Sequence, residues 1–194
     1  MENKKLLEEI RSYWNNRADG YSRVNQEELH SEQKEKWKEV LLEQLPKKEK
    51  DQVKILDIGT GPGFFAILLA EEGYQVTAVD YTEQMLQEAK SNAADLADQI
   101  SFKRMDAQNL EFPKETFDYI VTRNVTWNLE HPKRAYREWQ RVLKPGGKIL
   151  NFDANWYAYL YDDKLKLGYE QDRQRTKLEQ VNVEVGGQAV LGRQ

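Results

Sequence analysis

The sequence predicts an α/β domain, doubly wound on a mostly parallel sheet. Short aliphatic stretches at 53–58, 75–79, 100–105, 117–122 and 148–152 alternate with stretches of helical period, the pattern of repeated strand–helix units. The first of them, Val53-Lys54-Ile55-Leu56-Asp57-Ile58, has no clean period of two, as expected of a strand covered on both faces. It runs into Gly59-Thr60-Gly61-Pro62-Gly63, where glycines at alternate positions allow a sharp turn and a close backbone approach to a ligand.

Taken in order, residues 4–17 have the spacing of an amphipathic helix, with Leu6, Leu7, Ile10 and Tyr13 or Trp14 on one side. Residues 18–25 are expected as a loop. A second helix is expected over 26–45, carrying Leu29, Trp37, Val40 and Leu41, and Pro46 stops it. Residues 1–46 thus form an N-terminal helical cap or lid, and 47–194 the sheet domain. After the glycine turn, residues 64–72 form a helix closed by Gly73, a natural residue for that place. The strand at 75–79 ends in Asp80. Thr82 caps a helix in which Met85, Leu86, Ala89, Ala93 and Leu96 recur at helical spacing. The strand at 100–105 ends in Asp106, and that at 117–122 in Arg123-Asn124. A helix over 132–143 buries Ala135, Trp139, Val142 and Leu143, and Lys144-Pro145-Gly146-Gly147 turns the chain into the strand at 148–152. Residues 155–178 read as a helical insert rich in tyrosine and charge.

Composition bounds the function. With 194 residues the chain suffices for one α/β domain with a substantial core. Its 29 basic and 33 acidic residues leave a net charge of −4, so neither nucleic acid nor a membrane is an expected partner. Cysteine is absent, which removes disulfides, thiolate nucleophiles and cysteine metal sites. The N-terminal residues lack the apolar stretch of a signal peptide, and the apolar run 64–70 is too short to span a bilayer. A cytoplasmic protein is expected.

In doubly wound sheets the ligand lies beyond the carboxyl ends of the strands. Asp57, Asp80, Asp106 and the pair Arg123-Asn124 all stand at or near such ends. Asp80 follows Gly59 by 21 residues, close to the spacing at which an acid accepts hydrogen bonds from ribose hydroxyls. The dinucleotide fingerprint is G-x-G-x-x-G, but here the glycines fall at 59, 61 and 63, and Phe64 occupies the last glycine's place. A nicotinamide-dependent oxidoreductase is therefore an alternative that the spacing disfavours.

Five segments together carry a family resemblance: Leu56-Asp57-Ile58-Gly59-Thr60-Gly61-Pro62-Gly63; Ala78-Val79-Asp80-Tyr81-Thr82-Glu83-Gln84-Met85-Leu86; Asp106-Ala107-Gln108-Asn109-Leu110; Phe117-Asp118-Tyr119-Ile120-Val121; and Arg141-Val142-Leu143-Lys144-Pro145-Gly146-Gly147. Over residues 53–153 the chain resembles the class I S-adenosylmethionine-dependent methyltransferases, in particular the type 11 group. The resemblance implies a Rossmann-like methyltransferase fold and S-adenosylmethionine as cofactor. It also implies roles: Asp57, Gly59, Thr60, Gly61 and Gly63 in the turn at the methionine end, and Asp80 at the ribose. Tyr81 and Met85 would lie at the adenine face, Asp106 and Ala107 at the adenine amino group, and Arg123 and Asn124 near the sulfonium. The segment 13–21 is similar to the family's W-x-x-x-A-x-x-Y pattern, which forms a lid.

Methyl transfer from a sulfonium needs no nucleophilic side chain, because the acceptor attacks an already activated carbon. No catalytic side chain is singled out, and neither His30 nor His131 has a partner at metal-ligand spacing. Tyr13, Tyr21, Trp127 and Trp156 are the candidate walls for a small-molecule acceptor, together with Tyr157 and Tyr159, and core packing is the competing reading of each aromatic. A cofactor-binding protein without turnover stands as an alternative from another class. The resemblance also implies a final antiparallel strand pair, for which residues 181–191, a small hairpin about Gly186-Gly187, look too short. The strand at 148–152 is then an open edge, expected to be covered by that hairpin or by a second copy in a homodimer.

Overall fold

The computed structural model describes residues 2–47, 49–155, 158–171 and 174 and, of residues 2–6, the backbone alone. The chain divides into two compact units, Met1–Asp153 and Ala154–Gln194. In the first, three helices, α1 (Glu2–Asn15), α2 (Ala18–Leu29) and α3 (Glu32–Gln44), precede the alternating part. That part runs β1 (Lys54–Ile58), α4 (Phe64–Glu71), β2 (Gln75–Asp80), α5 (Glu83–Ala93), β3 (Ile100–Arg104), β4 (Phe117–Arg123), α6 (Pro132–Val142), β5 (Leu143–Phe152).

The described strands form one five-stranded sheet of order β3-β2-β1-β4-β5, and every neighbouring pair is parallel. β1 is central, with Ile58 opposite Val79 on one side and Thr122 on the other. Successive strands step outward from β1 in one direction to β3, and then in the other direction from β4 to β5. The reversal lies between β1 and β4, where the loops diverge and leave a crevice. Alternate residues of β1 serve opposite faces. Ile55 joins the core under α3 and α4, with Leu41, Phe65, Leu68 and Val121. Leu56 and Ile58 join the core under α6, with Ile120, Trp139 and Val142. Both faces being covered explains why the strand shows no apolar–polar alternation.

The observed elements depart from the expected ones in four places. Residues 18–25, expected as a loop, are the first two turns of α2. The residues that α2 buries are Ala18, Ser22 and Asn25, small or polar, so the face is invisible to a hydrophobic pattern. The expected helix over 26–45 is two helices, because Ser31 interrupts it as the N-cap of α3, its Oγ accepting from the Gln33 N–H at 3.2 Å. α5 stops at Ala93, and Ala94–Gln99 is a 3-10 turn that begins at a positive φ of 47° on Ala94. Finally, Lys144-Pro145-Gly146-Gly147 lies within β5 rather than before it. Leu143 pairs with Phe117 ahead of a register shift, and a Cβ on Gly147 would stand 2.6 Å from the Asp118 carbonyl oxygen. The glycines form an irregularity in the strand.

Among the described residues β5 and β3 are the sheet's edges. Residues 181–191, Trp156 and Tyr157 lie outside the described residues. The second unit contains a 3-10 turn, Ala158–Leu160, and helical residues 163–171, and within it the Tyr159 ring stacks on Tyr169 at 4.0 Å. No described helix is long and apolar enough to cross a membrane.

Candidate functional site

The crevice at the carboxyl ends of the strands opens into a cleft of about 860 Å³ of empty space, the open solvent at its mouth included. Its floor is Gly59 and Gly61 of the turn after β1, with Asp80, Tyr81 and Thr82 after β2. Met85 of α5, Met105-Asp106-Ala107-Gln108 after β3 and Arg123-Asn124-Val125 after β4 complete that side. Leu7, Ile10, Arg11 and Trp14 of α1 and Tyr21 of α2 face them.

The turn is held from beneath. Asp57 is buried at the end of β1, and its carboxylate accepts from the Thr60 hydroxyl at 2.7 Å. Burial pushes its carboxyl up to about 7; the Thr60 hydroxyl and the Ala66 N–H oppose the rise and the charge of Asp80 adds to it. Gly63 has φ +95°, and a Cβ there would press on Ala89 of α5 at 3.1 Å. A Cβ on Gly59 would collide with Val125 at 2.4 Å, whereas one on Gly61 would meet only Tyr21 at 3.6 Å. Gly59 and Gly63 therefore serve close packing, and Gly61 leaves bare backbone towards the cleft.

Asp80 joins the turn to the next helix. One carboxylate oxygen accepts from the Gly61 N–H at 3.0 Å and the other from the Thr82 N–H at 2.9 Å, at the start of α5. Burial in the cleft wall lifts this carboxyl above its ordinary range, against those same N–H groups, which favour the ionised form. After β3, the Asp106 carboxylate accepts from the Gln108 N–H at 2.8 Å. The buried Gln108 side chain in turn accepts from the His131 N–H at 2.7 Å, at the start of α6. The fully buried Trp139 donates its indole N–H to the Ala107 carbonyl at 2.8 Å. The loop that carries Asp106 and Ala107 is thus fastened to α6 at two points.

Beyond β4, the Arg123 guanidinium turns to Glu28 of α2 with two bonds of 2.9 Å, and lies over the Trp37 ring at 4.7 Å. Asn124 takes a left-handed φ of 58°, which its short polar side chain tolerates, and its carbonyl accepts from the Trp127 indole at 2.8 Å. Trp14 stands among Tyr13, Tyr21 and Trp127, with ring centroids at 5.2, 5.8 and 6.3 Å. Both cations of the lining carry a carboxylate, Arg11 that of Glu8 and Arg123 that of Glu28. Asp80, Asp106 and Glu130 leave the cleft acidic, which suits a cationic ligand.

Residues 56–151 match the family model described as methyltransferase domain. A ubiquinone biosynthesis O-methyltransferase of Coxiella burnetii is 31% identical over 55% of this chain and 47% of its own. A ubiquinone/menaquinone biosynthesis C-methyltransferase of Rickettsia massiliae is 31% identical over 70% of this chain and 54% of its own. A solved structure from Methanococcus maripaludis superimposes with a TM-score of 0.64 at 22% identity, over 86% of this chain and 84% of that one, which shows a shared fold.

Residues 56–151 are thus a domain of the methyltransferase family. The chain spans about half the length of the curated relatives that it matches.

Of the expected positions, Gly59, Gly61, Asp80, Tyr81, Met85, Asp106, Ala107, Arg123, Asn124 and Tyr21 line the cleft. Asp57, Thr60 and Gly63 are not part of the lining and act through the turn's packing. Tyr13 and Trp127 back Trp14 instead of lining the cleft, and Trp156 lies outside the described residues. Missed from the sequence were Gln108, Glu130, Val125, Asn128 and Leu129, and Arg11 on α1. The spacing of Leu7, Ile10, Arg11 and Trp14 on one helical face was a signal for Arg11. For Gln108 and Glu130 no local pattern exists.

Proposed function

We propose that the chain transfers the methyl group of S-adenosylmethionine to a small-molecule acceptor. The observation that carries this reading is the convergence of Gly61, Asp80, Tyr81, Met85, Asp106 and Ala107 on one acidic cleft at the sheet's reversal point. The residues fit the cofactor. Gly61 offers bare backbone, Asp80 places a carboxylate in the cleft lining for the ribose hydroxyls, and Met85, Met105 and Leu129 supply apolar surface for a nucleobase.

When bound, the cofactor supplies an activated methyl carbon on a sulfonium. The protein's part is to position and to exclude water. Asp80 would hold the ribose, Asp106 the adenine amino group, and the Gly59–Gly61 backbone the methionine end. Asn124, whose left-handed φ its short polar side chain tolerates, would stand near the sulfonium. Trp14 and Tyr21, backed by Tyr13 and Trp127, would form the aromatic wall of the cleft on the acceptor's side. The helices of residues 1–46 act as a cap on the sheet of β1 to β5. The reading also includes a cytoplasmic setting, and self-association along β5, which has a neighbouring strand on one side among the described residues.

Calorimetry with S-adenosylhomocysteine and with NAD tests the cofactor. Binding of the first and not the second is expected, and the reverse would overturn the reading. Methyl-labelled S-adenosylmethionine offered with a panel of phenols, amines, thiols and activated carbon acids then tests turnover. Tight cofactor binding with no transfer to any class would favour a binding protein without turnover.

A further inference from the structure

We propose that Glu28 and Glu8 set the acceptor class: by neutralising the two arginines of the cleft, they restrict it to an uncharged or cationic aromatic compound and turn carboxylates and phosphates away. The inference rests on the methyltransferase reading and adds to it the charge and shape of the acceptor. Among its described residues the cleft lining carries two arginines, Arg11 and Arg123, and each is paired. Arg123 gives both terminal nitrogens to the Glu28 carboxylate, at 2.9 Å each. The Trp37 indole donates to that same carboxylate at 3.1 Å, and the guanidinium lies over the rings of Trp37 and Phe64 at 4.7 and 5.1 Å. Arg11 holds Glu8 at 2.5 Å.

An anionic acceptor cannot take Arg123 without breaking this arrangement. Glu28 is only 19% exposed, and a carboxylate so placed is destabilised when its bidentate partner leaves it. Asp80, Asp106 and Glu130 also line the cleft, and their carboxylates outnumber the sulfonium that the cofactor brings. A carboxylate or phosphate bound beside them meets like charge, which is how binding sites reject wrong partners. The aromatic part follows from Trp14 and Tyr21. Both line the cleft with ring centroids 5.8 Å apart, and a Cβ on Gly61 would stand 3.6 Å from the Tyr21 ring. A flat ring stacks on such a wall, and the indole face also favours a cation.

The test offers three probes of similar shape to the full chain loaded with S-adenosylhomocysteine. They are para-hydroxyphenylacetate as the anion, para-ethylphenol as the uncharged compound and tyramine as the cation. Binding is read by ligand-observed NMR in titrations to about 10 mM. The parent should take para-ethylphenol and tyramine about tenfold more tightly than para-hydroxyphenylacetate. Glu28→Gln leaves the Arg123 charge unneutralised, so the ratio of anion to cation affinity should rise about fivefold. Glu8→Gln should move that ratio the same way through Arg11, and it decides the outcome where Glu28→Gln does not fold. A cleft merely deformed by either variant changes all three affinities together and leaves the ratio alone. The proposal is overturned by a parent that takes the anion as tightly as the other two, or by one that binds none of the three. A ratio that stays within about twofold of the parent's in the folded variants overturns it as well. A parent chain that binds no S-adenosylhomocysteine in calorimetry would instead sink the methyltransferase reading itself.

Discussion

Arg123, the last residue of β4, is joined to Glu28 of α2 by two hydrogen bonds of 2.9 Å, across 95 residues of sequence. The guanidinium lies over Trp37 and Phe64, and the Trp37 indole donates to the same carboxylate at 3.1 Å. Its charge is thereby committed to the cap.

A double-mutant cycle follows from that geometry. The paired side chains are 27% and 19% exposed, so breaking the pair should cost less than for a fully buried one. Arg123→Met and Glu28→Gln should each lose about 1–3 kcal/mol in urea unfolding, and the double variant little more than the worse single one. Additive losses would show that the two residues act independently.

Asp80 carries two tasks at once, and its replacement should reveal both. Asp80→Ala should weaken S-adenosylhomocysteine by about 1.5–3 kcal/mol. It should also lower stability, since the N–H groups of Gly61 and Thr82 lose their acceptor. Unchanged affinity by calorimetry would remove Asp80 from the ribose site.

The buried Asp57 gives a pH dependence whose sign can be stated. Its folded pKa of about 7 lies above the ordinary 3.8, so the fold prefers the protonated form. The stability of the ligand-free chain therefore falls, on this group's account, as pH rises from about 4 to about 7, and levels off beyond. Asp57→Asn removes that slope. The difference in urea midpoint between variant and parent should shift in the variant's favour across that range, and parallel curves would disprove the assignment.

Within the cap, α1 and α2 should respond differently to cofactor. Asn92 of α5 donates to the Pro62 carbonyl at 3.0 Å and to Ser22 at 3.1 Å, and accepts from Gln26 at 2.7 Å, so it bolts α2 to the glycine turn. α1 reaches β2 through the longer Glu8–Tyr81 bond. Amide exchange in Glu2–Asn15 should slow when S-adenosylhomocysteine binds, while Ala18–Leu29 should be protected already. Equal exchange of α1 with and without the ligand would make it fixed scaffold.

Gly59→Ala tests the turn itself. The new methyl group would stand 2.4 Å from Val125 in a left-handed backbone, so stability and cofactor binding should both fall. A variant that unfolds at the parent's urea midpoint would show that the turn can relax, against the packing role given to this glycine.

Much of the fold could be read from the chain alone because it depends on local pattern. The strands, their order of appearance, the turn with glycines at 59, 61 and 63 and the acids at the strand ends follow from periodicity and spacing, and the described sheet has them. The cap resisted that reading, because α2 buries Ala18, Ser22 and Asn25 and is held by polar clamps rather than by an apolar stripe. Only the tertiary structure decided what the side chains at the site do. Asp57 went under the turn to Thr60, Arg123 to Glu28, and Gln108 from Asp106 to the start of α6. The physical reason is range: the period of a strand or helix is set by neighbours a few residues away, whereas a buried charge or amide takes whichever partner the packing of distant segments brings within about 3 Å.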